Sequence, residues 1–465
     1  MNPLTFNSND FLSTHAKLHP QLCESNRYTV LGLGTPCIDT TIRVTDRFLK
    51  THGMDQENWG QIFDLKKYCT LIAKAQKIYQ EPIIRTTGGS CSNLIKTLAK
   101  IHNSTAFFGK LGDFPEDEFY RSQMENAGVR LISPPSSIPI TQVTAFIGES
   151  KERFFRVFPN LSKNLPNSIL DKRNKIFQDV RITHFEGFML KEYSLAFIKR
   201  AMQLAQESGS IISLDLGCEP ITAKYSIEIL DILRKVDIVF TNCDEARVLL
   251  NLKTSHHIAE IAGEILSSCQ NTTSSTTSKK MTDGSVVSLR AARICIVKEG
   301  ANGALVRMGD YRTHAVARQI EKEDIENTNG AGDCYAAGFL GGFINGCSLD
   351  GCNKIGNLLG GAVVTQIGAE ISDEVWPVVK KEINQMIVDD TKKQRNRADS
   401  FIMMLKISRK IDRLCQIITN EMKKKRIKLY SPNMKIKFKS SYIKRIKNEI
   451  HNLEKKWNVL SKELY

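Results

Sequence analysis

The chain has 465 residues, 41% of them hydrophobic and 25% charged, and 65 Lys+Arg against 50 Asp+Glu give a formal net charge of +15. That length predicts two or three domains with a sizeable core, and the ordinary composition excludes a disordered, fibrous or collagen-like chain. No apolar run reaches the ~18 residues a membrane span needs, and residues 1–27 are polar with no basic start leading into an apolar stretch, so no signal peptide is expected.

The charge is not spread evenly. Residues 391–465 hold 22 Lys+Arg and 6 Asp+Glu, a net of +16, which leaves 43 basic and 44 acidic residues in the first 390. The body is neutral and the tail is basic, so each is read by itself. The 12 cysteines are scattered singly, without a C-x-x-C pair or a Cys/His cluster at zinc spacing. Cys91, Cys243, Cys295 and Cys334 fall among apolar or small residues, as reduced core thiols do, and a cytoplasmic protein is the simplest expectation.

In chain order, Tyr28 to Leu33 reads as a buried strand that runs on to the carboxylate of Asp39. Gly32-x-Gly34 is half of a dinucleotide-binding fingerprint, but Cys37 stands where the third glycine belongs and no helix pattern follows, so that reading is rejected. Asp39 is either a turn residue or a ligand for paired hydroxyls, and the sequence alone favours the turn. Gly88-Gly89-Ser90-Cys91-Ser92-Asn93 opens a helix over 94–101, with glycines that let a ligand approach the backbone. A short strand, Thr105 to Phe108, precedes an acidic helix start at Pro115, and that helix closes at Gly128. This order, β-α-β-α, predicts a mostly parallel sheet covered on both faces.

Thr141 to Phe158 differs, because its interleaved polar positions read as a hairpin. Together with Thr40 to Val44 it forms a candidate small sheet outside the main layer, placed to cover a site. The α/β rhythm resumes with strand-like runs at 181–187, 211–216 and 236–240. Asn242 and Glu245, three apart just past a strand, are either a capping box or ligand-facing residues at the carboxyl edge of an open sheet. Residues 267–288 form a Ser/Thr-rich, low-complexity surface insertion. A buried strand at 293–297 then leads into Gly300-Ala-Asn-Gly303, which suits a tight hairpin into Ala304 to Met308 or a loop resting against a nucleotide.

Asn327-Thr-Asn-Gly330-Ala331-Gly332-Asp333 opens a small-residue, apolar helix reaching Ile344. Two glycines around an alanine let successive N–H groups turn inward, and a helix N-terminus favours an anion. An acid in the first turn would sit beside that anion site. A nest for developing negative charge paired with a proton acceptor is what phosphoryl transfer to a hydroxyl requires. The alternative is a glycine loop with Asp333 as an ordinary helix cap. A second small-residue helix follows Gly351 and carries Asn357.

The order of these motifs resembles the PfkB (ribokinase-like) family of sugar and nucleoside kinases over roughly residues 28–380. The resemblance implies a three-layer α/β/α domain with a small β lid and ATP-dependent phosphorylation of a hydroxymethyl group. It implies Asp333 as catalytic base and Gly330, Ala331 and Gly332 as the anion hole. Asn242 and Glu245 would organise Mg²⁺ and phosphates through bound water, Gly300 and Gly303 would line the nucleotide, and Asn357 would lie near the adenine. Asp39, Gly89 and Asn93 would contact the acceptor's hydroxyls, and Arg153 of the lid's Glu152-Arg153 pair would face phosphate. ATP and Mg²⁺ are the implied cofactors, with a monovalent cation as a further candidate. Gly34-Thr-Pro-x-x-Asp39, the 88–93 run, the lid phrase Phe146 to Arg153 and Asn329 lean toward nucleoside kinases of the adenosine or inosine-guanosine type. A sugar kinase or a catalytically weakened nucleotide-binding relative are the alternatives.

Two positions depart from the pattern. The family usually has Asp where this chain has Asn327, which removes a charge available to Mg²⁺ or a monovalent cation; the inosine-guanosine branch is similar in having Asn there. Tyr120 stands where a glycine is usual, which puts the local loop geometry in question.

The expected organisation is a polar segment 1–27, a kinase domain 28–390 and a basic helical extension 391–465. In the extension, Met404, Ile407, Ile411, Leu414 and Ile418, then Ile443 to Leu464, repeat at spacings of three and four around a break at 431–433. Two amphipathic helices in a hairpin or coiled coil are predicted. A solvated basic face on a self-associating or partner-binding helix is favoured over an RNA, DNA or membrane-surface contact, because aromatic residues among the basic ones are sparse.

Overall fold

The computed structural model describes residues 28–54, 59–78, 83–101, 103–149, 153–161, 165–252, 257, 260–265, 294–308, 311–366, 368–394, 403, 406–407, 409–415, 417 and 441–464. The expected polar segment 1–27, the insertion 267–288, the break at 431–433 and most of the basic runs at 423–426 and 435–447 lie outside these residues.

The centre of the molecule is a nine-stranded sheet. Its strands are β1 (Val30–Leu33), β5 (Thr105–Phe108), β6 (Val129–Ile132), β9 (Ile182–Glu186), β10 (Ile211–Asp215), β11 (Ile238–Asn242), β12 (Ile294–Lys298), β13 (Ala304–Met308) and β14 (Tyr311–Ala315). They lie in the order β14-β13-β12-β11-β10-β9-β1-β5-β6. All neighbours from β6 to β12 are parallel, and β13 and β14 close one edge as an antiparallel meander.

Strand residues alternate between the two faces, as period-two geometry demands. Ile238 and Phe240 face one apolar cluster while Val239 faces the other, and Ile294 and Ile296 oppose Cys295 and Val297 in the same way. Both clusters are apolar, so each strand reads as a continuous hydrophobic run, which marks a sheet covered by helices on both sides. One cover comprises α2 (Ser90–Lys100), α3 (Pro115–Asn126), α6 (Ala331–Ile344), α7 (Leu349–Val364) and α8 (Trp376–Gln394); the other includes α4 (Leu195–Glu207). The architecture is three-layered α/β/α. Tyr120, where a glycine is usual, lies inside α3 with its ring buried and its hydroxyl 2.5 Å from Ser92 Oγ, so no loop there is disturbed.

Helix α6 is buried on every side from Cys334 to Ile344. It packs closely on α7 because a Cβ on Gly338 would stand 2.6 Å from the Ile355 carbonyl oxygen, and one on Gly356 would stand 2.8 Å from the Tyr335 ring. Phe339 of α6 meets Phe240 of β11 edge-on, with centroids 5.6 Å apart at 85°, a geometry that favours aromatic pairs beyond their buried area.

A second, five-stranded sheet has the order β3-β8-β7-β2-β4, with β2 (Cys37–Arg43), β3 (Trp59–Gln61), β4 (Ile84–Gly88), β7 (Thr141–Ile147) and β8 (Arg153–Phe158). The expected hairpin forms as β7–β8 and the continuation after Asp39 as β2; β3 and β4 extend the sheet at its edges. The helix α1 (Leu65–Ile78) contributes Tyr68, Ile72 and Ala75 to an apolar cluster with Phe146, Phe154 and Phe158. This gives the lid a core of its own.

The tail does not stand apart. Ile407, Ile411, Leu414, Ile446 and Ile450 are buried in the same cluster as α6, α7 and α8. Arg409 pairs with Asp237 and donates to the Ser210 carbonyl, and Arg413 Nη2 donates to the Gln206 carbonyl at 2.6 Å. Lys410 and Glu449 join the two tail segments at 2.7 Å. An amphipathic stripe has the same spacing whether it meets a second copy or its own body, and here it meets the body. The second segment is the helix α9 (Ser441–Leu464), whereas Met404 and Ile418 fall outside the described residues.

Candidate functional site

The parallel strands end on one edge of the sheet. Strand β1 pairs with β5 on one side and β9 on the other, so the chain reverses its direction of travel across the sheet there, and open α/β sheets bind ligands beside such a point. A cleft of about 950 Å³ opens at these carboxyl ends, and Thr141, Val143 and Val157 of the small sheet also line it. Asp39, Gly89, Asn93, Asn242, Glu245, Gly300, Gly330, Ala331, Gly332 and Asp333 all line this one cleft. Residues spread over almost 300 positions of sequence therefore meet.

At its floor, Gly330 adopts φ +74°, the left-handed conformation that glycine takes without a Cβ penalty, and caps α6. A Cβ there would also stand 2.6 Å from that of Ala369. In the first turn of the helix Ala331 N donates to the Thr328 carbonyl at 3.3 Å, and the N–H groups of Gly332 and Asp333 have no intrahelical acceptor. Asp333 lies in that turn, and its carboxylate accepts from Ser90 Oγ at 2.6 Å and from Asn93 Nδ2 at 2.9 Å. Burial raises its pKa above the usual carboxylate range and Asp215 adds to the rise, while Ser90, Asn93 and Lys298 oppose it. The arrangement is a proton acceptor held in a fixed orientation beside a helix N-terminus. Asn93 Oδ1 is buried and has no hydrogen-bond partner among the described residues, so it remains available to a ligand hydroxyl.

Gly89, with φ +97°, lets β4 turn directly into α2, since a Cβ would stand 2.5 Å from the Thr35 carbonyl oxygen. Asp39 leaves β2 at the cleft wall, and burial raises its pKa to about 6 against the pull of Cys37 and Lys96. Behind this wall, Glu186 at the end of β9 accepts from Thr35 N, Thr35 Oγ1 and Cys91 N, each at 2.6 Å. It thereby pins the turn after β1 to the start of α2. Burial raises its pKa to about 7.

On the opposite flank, Asn242 and Glu245 form a true capping box on α5 (Cys243–Leu250). Asn242 Oδ1 accepts from Glu245 N at 2.8 Å and Glu245 Oε2 accepts from Asn242 N at 2.9 Å. The two readings of this pair are compatible, because both residues cap the helix and line the cleft. Burial raises the Glu245 pKa, and Lys298 pulls it down.

Two residues that the sequence reading did not single out complete this flank. Lys298, ending β12, pairs with Asp215, ending β10, at 2.7 Å. Burial alone would lower the lysine's pKa, but Asp215 and Glu245 outweigh it and raise it. The ammonium stands 3.0 Å from where a Cβ on Gly332 would be, against the first turn of α6. A charged residue at each of two strand ends was the available signal.

Two expected residues, Gly303 and Asn357, are not in the lining of this cleft, and the side chain of a third, Arg153, is not described. Gly303 closes the turn between β12 and β13 at φ +95°, and Glu299 N donates to its carbonyl at 2.8 Å; it does not line the cleft. Asn357 Nδ2 donates to the Ala315 carbonyl at 2.8 Å, tying α7 to the end of β14. Arg153 starts β8 opposite Ile147, and Glu152 and the Arg153 side chain lie outside what is described. Among the described residues no group of three or more His, Cys, Asp or Glu forms a direct metal cage, and no helix is long and apolar enough to cross a membrane.

Comparison with known proteins agrees with this geometry. The pattern defining the pfkB family of carbohydrate kinases matches residues 59–376. The adenosine kinase of Schizosaccharomyces pombe is 22% identical over 367 residues, covering 76% of this chain and 98% of that protein. The probable fructokinase-7 of Arabidopsis thaliana is 24% identical over 309 residues, covering 61% and 80%. Among solved structures, adenosine kinase from Sinorhizobium meliloti superposes with a TM-score of 0.62 at 25% identity, covering 76% of this chain and 99% of that one. The chain belongs to the pfkB family of carbohydrate kinases and is a phosphotransferase with an alcohol group as acceptor.

Proposed function

We propose that this chain is a nucleoside kinase that transfers the γ-phosphoryl group of ATP to the 5′-hydroxymethyl of an adenosine- or inosine/guanosine-type nucleoside. The observation that carries the reading is Asp333, oriented by Ser90 and Asn93 in the first turn of α6 with the Lys298 ammonium beside the same turn. Asp333 accepts the proton of the attacking hydroxyl. The N–H groups at the start of α6 and the Lys298 ammonium hold the charge that develops on the transferring group. Asp39, when ionised, accepts from paired ribose hydroxyls, and Asn93 Oδ1 accepts from another.

ATP lies along the Gly300 side of the cleft and the acceptor along the Asp39 side. Glu245 and Asn242 fit a water-held Mg²⁺, since Mg²⁺ keeps several waters and needs no all-protein cage. When bound, the ion neutralises charge on the β- and γ-phosphates. Both Glu245 oxygens already accept hydrogen bonds, which suits a carboxylate that acts through water. Domain organisation follows as a kinase body, 28–390, braced by an extension, 391–465, and we take the protein to work in the cytoplasm on the strength of its buried free thiols.

The nucleoside reading is supported by the adenosine kinases among its relatives and by the 34–39 and 88–93 motifs. The fructokinase relative favours a second reading, a sugar acceptor. Purified protein incubated with ATP and Mg²⁺ plus adenosine, inosine, guanosine, ribose or fructose, with ADP formation measured, decides between them. Turnover of a nucleoside is expected; turnover of ribose or fructose alone selects the sugar kinase, and none with any acceptor overturns both.

A further inference from the structure

The expected monovalent cation does not fit the residues around the anion-hole loop, and the misfit has a specific cause. Asn327 is 8% exposed and sits three residues before Gly330. Its Nδ2 donates to the Gln366 carbonyl at 2.6 Å and to the Gly368 carbonyl at 3.2 Å, and its Oδ1 accepts from Asn329 N at 2.8 Å. These partners fix which end of the amide is nitrogen. The flipped amide would set an oxygen against two carbonyl oxygens and an NH₂ against an N–H.

The two carbonyls that Asn327 holds belong to the segment that packs against the loop. Ala369 lies between Gly368 and Glu370, lines the cleft, and stands against Gly330. Glu370 is tied to the Lys96 ammonium, which also meets Thr87 of β4. Facing carbonyl oxygens invite a cation, but here an amide N–H pair already points at them, and no carboxylate is present at residue 327 to attract the charge.

We propose that the Asn327 amide takes the place of a monovalent cation, fastening Gln366 and Gly368 to the anion-hole loop, so that this chain folds and turns over without K⁺ or Na⁺. Asn327 is a positioning residue and touches neither substrate. An Asp at 327 would instead set a carboxylate oxygen at about 3 Å from the two carbonyl oxygens, an arrangement that needs a cation or a proton between them. The inference rests on the kinase reading only for its turnover arm.

The test compares the full-length chain with Asn327→Asp in potassium, sodium or choline chloride at equal ionic strength. Thermal unfolding is followed without nucleotide or acceptor, and ADP formation with ATP, Mg²⁺ and the best acceptor. The native chain is expected to show the same melting temperature and rate in all three salts. Asn327→Asp is expected to melt lower in choline, to recover in potassium or sodium, and to be slower in choline by about tenfold or more. A native chain stabilised or activated by K⁺ or Na⁺ over choline overturns the inference, as does an Asn327→Asp variant indifferent to all three salts. The melting arm needs no turnover, so its failure is distinct from failure of the kinase reading.

Discussion

Replacing Asp333 by Asn tests the proposed chemistry at one atom pair. In the native cleft one carboxylate oxygen accepts from Ser90 Oγ at 2.6 Å and the other from Asn93 Nδ2 at 2.9 Å. An amide at 333 keeps both contacts if its oxygen faces Asn93 and its NH₂ faces Ser90, whose hydroxyl rotates to accept. Shape and neighbours survive, and only the ability to take a proton is lost. General-base removal costs about 10²–10⁴ in rate, or roughly 3–5 kcal/mol at about 1.4 kcal/mol per decade. The assay is steady-state ADP formation against acceptor and ATP concentration, with ATP affinity measured separately by calorimetry. We expect kcat to fall in that range and ATP affinity to hold.

The pH profile adds an independent readout. Burial raises the Asp333 pKa, and a base works only when deprotonated, so native kcat, measured with the acceptor saturating so that Asp39 is already engaged, falls as pH drops through that raised value. The variant lacks that limb. An unchanged kcat, or an acid limb that persists unaltered in Asp333→Asn, refutes Asp333 as the base.

Three other substitutions probe the supports of the site. Gly330→Ala puts a Cβ 2.6 Å from that of Ala369 at φ +74°; the left-handed backbone alone costs about 1–2 kcal/mol, so kcat should fall while the chain stays folded, and full activity would show the loop tolerates a side chain. Glu186 has a folded pKa of about 7, above its unfolded value, so the folded state binds the extra proton and stability is lost as pH rises through 7. Glu186→Gln should reduce the slope of denaturation midpoints between about pH 4.5 and 7, while Glu192, also raised to about 7 by burial, keeps its own share; an unchanged slope would assign the pH dependence elsewhere. Arg409→Ala strips Asp237 of its buried partner and should destabilise the chain by about 3–5 kcal/mol in urea unfolding. Because the contact lies at the amino ends of β10 and β11, away from the cleft, kcat/KM of the folded fraction should stay at the native value.

Several features of the molecule were visible in the chain because local chemistry dictated them. The alternation in Ile294-Cys-Ile-Val, apolar on both faces, specifies a covered parallel strand. Gly89 and Gly330 sit where only a residue without a side chain permits the turn. Other features depended on distant partners. Lys298 and Asp215 read as unremarkable charges until the register of β10 to β12 sets them side by side. Strand β4 reads as polar because it lies at the lid's edge with Ile84 and Arg85 exposed, and β14 alternates only at the margin of the main sheet. Asn357 carries the same amide whether it lines a pocket or braces a strand; only its bond to Ala315 tells them apart. The spacing in the tail specified an amphipathic face without specifying what covers it.

The central claim is that this cleft moves a phosphoryl group from ATP to a nucleoside's 5′-hydroxyl. Label transfer from [γ-³²P]ATP to adenosine, run beside 5′-deoxyadenosine, tests it most directly. A labelled nucleoside monophosphate is expected from adenosine and none from the deoxy compound; equal labelling of both, or of neither while ribose is labelled, rules out transfer to a nucleoside's 5′-hydroxyl.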